Sequence, residues 1–219
     1  MGRIDEARAG RRTKIMAIAA AGTVLAAGIG ITSLAAWTDN EWVTGGFNGI
    51  PGVGTSSFEI EQNVTTGSTG WTNDLASPGG VVDFTAQAKT LTPGDIVYGF
   101  VRLRAQPASV AGTESLVSDT ASLSGLAQYL SYGASVLLPG AGTSCNLANF
   151  TAGTVVTSLG SALTANGSQS FVMAAGGGGV TPGTERVVCF QIAMNASGVP
   201  DTAQGLTFAP VWHFSAQSN

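Results

Sequence analysis

Few side chains in this sequence are of the types that enzymes use for acid–base, nucleophilic or metal chemistry. There is one histidine, His213, so a His-Glu-x-x-His zinc motif or a His-rich metal cluster has no ligands to draw on. A Ser-His-Asp triad would have to use His213, and no nucleophile-elbow motif accompanies it. Glu59 and Glu61 are two residues apart, which is the ordinary outcome of alternation on a strand. We therefore expect no enzyme activity, catalytic residue, metal or cofactor.

The two cysteines, Cys145 and Cys189, are the remaining reactive pair. In an exported protein such a pair favours a disulfide. A crosslink closing a loop of about 45 residues would stabilise the fold by roughly 3–4 kcal/mol. The alternative is two separate buried thiols, but Cys145 lies in a polar stretch where a free thiol has little packing purpose. We predict a disulfide between the two residues.

The N-terminal segment has the parts of a secretory signal peptide. Five of the nine basic residues lie in the first 14 positions, and an uncharged run follows over 15–36. Signal peptidases require small side chains three residues and one residue before the cut. Cleavage between Ala35 and Ala36 places Ser33 and Ala35 at these positions. We predict a signal peptide over 1–35, a signal peptidase as partner during export, and a secreted protein that begins at Ala36.

An uncleaved membrane anchor is the alternative interpretation of the run 15–36. A helix of this length, rising about 1.5 Å per residue, would just span the hydrocarbon core of a bilayer. The run consists mostly of Ala and Gly and contains Thr23, Thr32 and Ser33, so it is only weakly hydrophobic. A twin-arginine signal at Arg11 and Arg12 lacks an apolar continuation. We expect cleavage, and no contact with the membrane afterwards.

Charged residues are sparse after position 35. Eleven acidic and four basic residues give this part of the chain a net charge of −7. Four cations cannot form a surface that follows a phosphate backbone, so nucleic acid is excluded as a partner. Gly, Ser, Thr, Ala and Asn supply a neutral polar surface, while Val, Ile, Leu and Phe are frequent enough for a core.

Short apolar or alternating runs separated by Gly, Pro, Asn and Ser predict many strands. The strands are expected over 58–61, 81–85, 95–104, 131–138, 185–194 and 206–216. The runs 95–104 and 185–194 are apolar on both sides, which indicates central strands covered on both faces. We predict a single all-β domain over 36–219, a jelly-roll-like antiparallel β-sandwich with one or two short helices, preceded by an N-terminal signal helix.

Three local patterns complete this prediction. Leu123, Leu126 and Leu130 follow helical spacing, and Ser118 or Asp119 could cap a helix there. The glycines 176–179 lack the Lys and the following helix of a phosphate loop and predict a hairpin connector. Pro210 cannot donate a hydrogen bond to a neighbouring strand, so the last strand bends there or lies at an edge. His213 on that strand points away from Trp212 and Phe214, towards solvent.

A turn is expected directly before the strand 95–104. Pro93 presets φ and Gly94 permits a positive φ, so the chain can turn sharply at Pro93, Gly94 and Asp95. We interpret these residues as a structural turn and not as a site of chemistry.

Several of these segments resemble one bacterial family. The segment 35–39 (Ala-Ala-Trp-Thr-Asp), the Gly-Gly-Phe that ends at Phe47, and the segment 91–95 (Leu-Thr-Pro-Gly-Asp) resemble the TasA/camelysin-like surface and biofilm-matrix proteins, which a specialised, SipW-type signal peptidase cuts. The ending 212–217 (Trp-His-Phe-Ser-Ala-Gln) is similar to the last strand of that family. The resemblance covers the start of the chain, the turn and the last strand, whereas 105–205 is recognisable only as β-rich.

The resemblance implies an extracellular structural role. Some members form fibres, in which the N-terminal segment freed by cleavage completes a sheet of the next subunit. The segment 36–48 fits such an assembly arm, since it carries Trp37, Trp42, Val43 and Phe47 with no partner nearby in the sequence. The alternative is that this segment forms the first strand of its own domain. An exposed strand edge is the surface that would accept such an arm.

We therefore expect a secreted structural protein of the bacterial cell surface or matrix that self-associates into fibres through its N-terminal segment. A monomeric, secreted surface-binding module is the alternative. The camelysin side of the family implies a third hypothesis, a metal-dependent protease, which the single histidine disfavours.

Overall fold

The computed structural model describes residues 43–47, 50–53, 56–77 and 79–219. The predicted signal segment 1–35, the predicted cleavage site at Ala35 and Ala36, and the predicted arm residues Trp37 and Trp42 lie outside the described residues. The chain divides into two compact units, Met1–Gly54 and Thr55–Asn219.

In the first unit, the described residues form a two-stranded antiparallel hairpin. Strand β1 (Val43–Phe47) pairs with β2 (Ile50–Val53), with Val43 opposite Val53 and Phe47 opposite Ile50. The expectation that the arm has no partner nearby in the sequence is therefore wrong for 43–47. An isolated two-stranded hairpin is only marginally stable in water.

The second unit contains the predicted β-sandwich. Its strands are β3 (Ile60–Asn63), β4 (Ile96–Ala105), β5 (Gly112–Ser118), β6 (Leu130–Val136), β7 (Thr154–Ala162), β8 (Ser170–Met173), β9 (Arg186–Met194) and β10 (Trp212–Ser218). The strands form a five-stranded sheet in the order β3-β4-β9-β6-β7 and a three-stranded sheet in the order β10-β5-β8. All pairings within both sheets are antiparallel. The all-β class is confirmed.

The strand order is that of a jelly roll in all but one position. If the eight strands of the sandwich are counted from β3, the strands β4-β9-β6-β7 of the larger sheet are the second, seventh, fourth and fifth. The strands β10-β5-β8 of the smaller sheet are the eighth, third and sixth. This is the jelly-roll order. In a jelly roll the first strand lies beside the eighth, whereas here β3 pairs with the second, β4. Among the described residues, the place beside the eighth strand, β10, is left without a strand.

The core forms where the two sheets face each other. Strand β4 buries every second residue, among them Val97, Val101 and Leu103. Strand β9 is buried on both faces over Val188–Ile192, as the apolar runs predicted. Burial of side chains of this size contributes about 1.5–3 kcal/mol each, so these two central strands position the rest of the fold.

The connection between β3 and β4 corrects one predicted strand. Residues 81–85 form no strand, so this prediction is wrong. Val82 and Phe84 instead pack on the inner face of β4 beside Gly99, where a Cβ atom would lie 2.7 Å from the Cγ1 of Val82. The alternating apolar side chains that predicted a strand therefore cover the core, and the missing side chain of Gly99 leaves room for them.

Three further elements differ from the predictions. The helix expected near 123–130 is a short 3-10 helix, Gly125–Tyr129, whose N-cap is Ser124. The glycines 176–179 connect β8 with β9, which belong to different sheets, so they do not join a hairpin. The last strand begins only at Trp212, after Pro210. The remaining helical elements are α1 (Leu147–Ala152) and the 3-10 helices Ala86–Lys89 and Asp201–Ala203.

Candidate functional site

The outer edge of β10 carries backbone groups without a strand partner. Asp119 N–H donates to the carbonyl of Val211, and Asn219 N–H donates to that of Ala111, so the odd-numbered residues of β10 bond to β5. Because bonding alternates along an antiparallel pair, the amides and carbonyls of the even-numbered residues 212–218 point away from β5. Within the described part of the chain, no backbone group bonds to them.

The other outer strands of the two sheets are partly covered. Each of β3, β7 and β8 has an edge group that accepts a hydrogen bond from a neighbouring segment. These contacts are Thr72 with Gln62 on β3, Ser168 with Val156 on β7, and Arg186 with Val172 on β8. Such contacts protect an edge from pairing with another chain. The β10 edge is therefore the candidate site for strand addition.

The side chains along this edge favour an apolar partner. Trp212 and Phe214 point into the sandwich, where their rings contact Phe190 with centroid separations of 4.8 and 6.4 Å. Both are only half-buried, and Ala216 on the same face is exposed. Inward-facing residues remain partly exposed here because no strand lies beyond β10 among the described residues. We call the face formed by Trp212, Phe214 and Ala216 the β10 groove.

A buried acidic residue lies on β5, the strand that pairs with β10. Glu114, on β5, is 0% exposed and lies opposite Ala216 of β10 and Phe171 of β8. Neither of its carboxylate oxygens has a hydrogen-bond partner among the described residues. Burial in these surroundings raises the pKa of Glu114 to about 7. A buried carboxyl without a partner is costly when charged, so this residue suggests a site for a hydrogen-bond donor or cation.

The predicted disulfide is present. Cys145 and Cys189 are bonded, with their Cα atoms 5.4 Å apart. Cys189 lies on β9, and Cys145 lies in the connection between β6 and β7 shortly before α1. Leu137 and Phe150 are buried against Cys189 in a small second cluster. The disulfide thus attaches this connection to the outer face of the five-stranded sheet.

The segment before β4 adopts a β-turn. Pro93 and Gly94 occupy its two central positions, Gly94 has a φ of 94°, and the amide of Asp95 donates to the carbonyl of Thr92 at 2.9 Å. The Asp95 carboxylate accepts from the amide and hydroxyl of Thr92 at 2.7 and 2.9 Å. These bonds, the backbone one first, lower the pKa of Asp95. All of these groups bond to one another, so the turn is structural.

His213 lies on the outer face of β10. Its Nδ1 is 2.6 Å from the Oδ2 of Asp119, and both side chains are largely exposed. The expectation of a solvent-facing histidine is confirmed, although its partner was not anticipated. Asp119, one of the two predicted helix caps, instead contacts the last strand beyond the end of β5.

An aromatic and charged cluster lies on β3 and β4. Arg102 forms two 2.6 Å hydrogen bonds with the Glu185 carboxylate. The guanidinium of Arg104 stacks on Trp71 at 3.8 Å from the ring centroid and forms an ion pair with Glu61. Glu61 is half-buried and paired with Arg104, whereas Glu59 is exposed. The four charged side chains pair with one another, whereas the buried Trp71 Nε1 has no hydrogen-bond partner among the described residues. We interpret the cluster as structural.

Sequence reasoning did not identify Glu114 as a site residue. The alternation of β5, with Gly112, Glu114 and Leu116 all buried, was the signal that could have identified it. In the part of the chain that the structure covers, no three His, Cys, Asp or Glu residues lie together as metal ligands. No helix among those residues combines the length and the apolar character needed to cross a membrane.

Comparisons with protein-family models, with curated proteins and with solved structures found no match to this chain.

Proposed function

We propose that this chain is a secreted structural protein of the bacterial cell surface or extracellular matrix, which self-associates into fibres through its N-terminal segment. The observation that carries this proposal is the open edge of β10. A jelly roll places its first strand there, and the described residues leave the position without a strand. In assembly, the N-terminal segment of one subunit occupies this position in the next.

The chemistry of the two surfaces supports this pairing. The β10 groove presents Trp212 and Phe214, and the N-terminal segment 36–48 carries Trp37, Trp42 and Phe47. Pairing would satisfy the outward backbone groups of β10 and bury apolar side chains from both partners. The resemblance of the segments 35–39 and 212–217 to the TasA/camelysin-like group agrees with such a role.

A proline on the edge provides the test. The amide of Ala216 points away from β5, so Ala216→Pro removes a donor from the outer edge and leaves the hydrogen bonds to β5 in place. The chain is exported with its own signal segment, purified, and incubated at high concentration. We expect fibres of the unchanged protein by electron microscopy, and a monomeric Ala216→Pro variant with a similar melting temperature.

Two controls complete the test. Ala209→Pro makes the same change at an exposed position outside the strands, and it should leave assembly unchanged. Deletion of residues 36–48 should abolish assembly. A protein that stays monomeric, or an Ala216→Pro variant that assembles like the unchanged chain, would contradict the proposal. Ligand-dependent thermal stabilisation of a monomer would instead support a surface-binding module.

A further inference from the structure

Glu114 has no assigned role in the proposed assembly, yet it is the most unusual polar residue of the core. It is fully buried on the middle strand of the three-stranded sheet, and both its oxygens lack partners among the described residues. Buried polar groups are nearly always hydrogen-bonded, and exceptions call for an explanation. An apolar residue at this position would lose no side-chain hydrogen bond, because Glu114 makes none with the described residues.

The position of Glu114 relates it to the open edge. The residue directly opposite on β10 is Ala216, whose side chain is a single methyl group. Its other cross-strand neighbour, Phe171, closes the opposite side. A strand added beyond β10 would lie roughly 10 Å from β5, since strands are spaced about 4.8 Å apart. Glu114 and Ala216 are directly opposite in an antiparallel pair, so their side chains lie on the same face of the sheet. A cation on that face, at the end of an inserted segment, is the group that would complement the carboxyl.

The sequence of the N-terminal segment specifies which cation this is. Residues 36–48 contain no Lys, Arg or His. Hydrolysis of the peptide bond between Ala35 and Ala36 consumes one water and leaves a carboxylate on Ala35 and an amine on Ala36. An α-amino group has a pKa of about 7.7–8.0, so it is mostly protonated at neutral pH. This ammonium is the single positive charge that the segment can offer.

We propose that the Glu114 carboxyl binds the α-ammonium group of Ala36 from a second copy of the chain. The inference rests on the proposed function and adds its regulation. Before cleavage, residue 36 has an amide in place of an amine, so Glu114 stays without a partner and the groove has low affinity for the segment. Cleavage creates the missing cation and thereby permits assembly.

Peptides test this step separately from fibre formation. The acceptor is the unit Thr55–Asn219, which carries its own hydrophobic core. The probes are a peptide of residues 36–48 with a free amine, the same peptide with an acetylated amine, and one with Gly-Ser placed before Ala36. We expect the free-amine peptide to bind at least tenfold more tightly than the other two at pH 7.

Variants of the acceptor complete the design. Glu114→Gln keeps the shape of the side chain and should reduce the tenfold preference to less than twofold. Glu59→Gln removes the same charge from an exposed position and should keep the preference. Carbon-13 NMR of the Glu114 carboxyl should show a lower pKa with the free-amine peptide and no change with the acetylated one, a signature that a purely structural glutamate would not produce.

The outcomes separate the two proposals. Equal affinity of the free and acetylated peptides, or a preference that persists in Glu114→Gln, overturns the role of Glu114 and leaves fibre formation intact. Failure of every peptide to bind overturns it as well. A free-amine preference in a protein that forms no fibres supports the Glu114 site and contradicts the structural role.

Discussion

Glu114 lies directly opposite Ala216, so a fully buried carboxyl occupies the strand next to the edge strand β10 of the three-stranded sheet. Where a jelly roll would continue with another strand, the residues that the structure describes supply none. The combination of an unpaired strand edge and an unpaired buried acid is the main functional signal of the molecule.

Replacing Glu114 with leucine should change how stability depends on pH. The pKa of Glu114 in the folded protein is about 7, against an ordinary value of 4.5. The folded state favours the neutral acid. The contribution of Glu114 to the free energy of unfolding is therefore most favourable below pH 4.5 and becomes less favourable as the pH rises to about 7. The stability gained by Glu114→Leu should therefore grow by about 2–3 kcal/mol between pH 5 and pH 8. Urea unfolding of the unit Thr55–Asn219 at both pH values measures this, with Glu59→Gln as control; a gain that does not change with pH would contradict it.

Removing the disulfide should destabilise the sandwich. The sequence separation of Cys145 and Cys189 is 44 residues, and the chain-entropy model assigns a crosslink of this size about 4 kcal/mol. We expect the double variant Cys145→Ala/Cys189→Ala to unfold at a lower urea concentration by a corresponding amount. A reducing agent should produce a similar loss in the unchanged protein and none in the variant. Equal stability with and without the reductant would show that the crosslink does not constrain the unfolded chain.

A methyl group at Gly112 should be poorly tolerated. A Cβ atom there would lie 2.3 Å from the ring of Phe58 and 2.6 Å from the carbonyl oxygen of Gln217 on β10. Overpacking of this kind costs about 1–3 kcal/mol, so Gly112→Ala should lower the melting temperature. Gly178→Ala, at a position with nothing within 4 Å, is the matched control and should be nearly neutral. The double variant Phe58→Ala/Gly112→Ala should show less than additive loss, because one clash is already relieved.

Breaking the ion pair between Arg102 and Glu185 should weaken the cluster on the five-stranded sheet. The Arg102 side chain is 12% exposed and forms two hydrogen bonds with the carboxylate, which raise the pKa of the guanidinium. Glu185→Gln replaces the carboxylate with an amide that offers Arg102 one neutral oxygen, beside the backbone carbonyls of Thr65 and Gly67 that it already contacts. Hydrogen bonds to charged groups contribute about 1.5–3 kcal/mol. We expect a loss of about 1–2 kcal/mol in urea unfolding. A change no larger than that of the exposed Glu59→Gln would indicate that Arg102 is satisfied by the backbone carbonyls of Thr65 and Gly67 alone.

The central strands could be predicted because their signal is local. The runs 95–104 and 185–194 are apolar on both sides, and they form β4 and β9, two neighbouring interior strands of the larger sheet. Strand β9 is buried on both faces as predicted, whereas β4 buries one face and leaves the other mostly half-buried. The run 81–85 has a similar alternation and was wrongly predicted as a strand. Val82 and Phe84 find their partners at Gly99 of β4, and no pattern within 81–85 reveals a contact with a residue so much further along the chain.

The amino-acid sequence by itself determined the β-sandwich class, the pairing of Cys145 with Cys189 and the turn residues Pro93 and Gly94. These follow from alternation, from the small number of possible pairs and from backbone preferences, all of which act locally or by elimination. Only the tertiary structure decided that β3 joins β4 and not β10, and that Glu114 faces the core opposite Ala216. The order of the strands, and the face of β5 on which Glu114 lies, depend on which distant segments pack together. The reason is that the free energy of burial is set by the whole sandwich and not by any one strand.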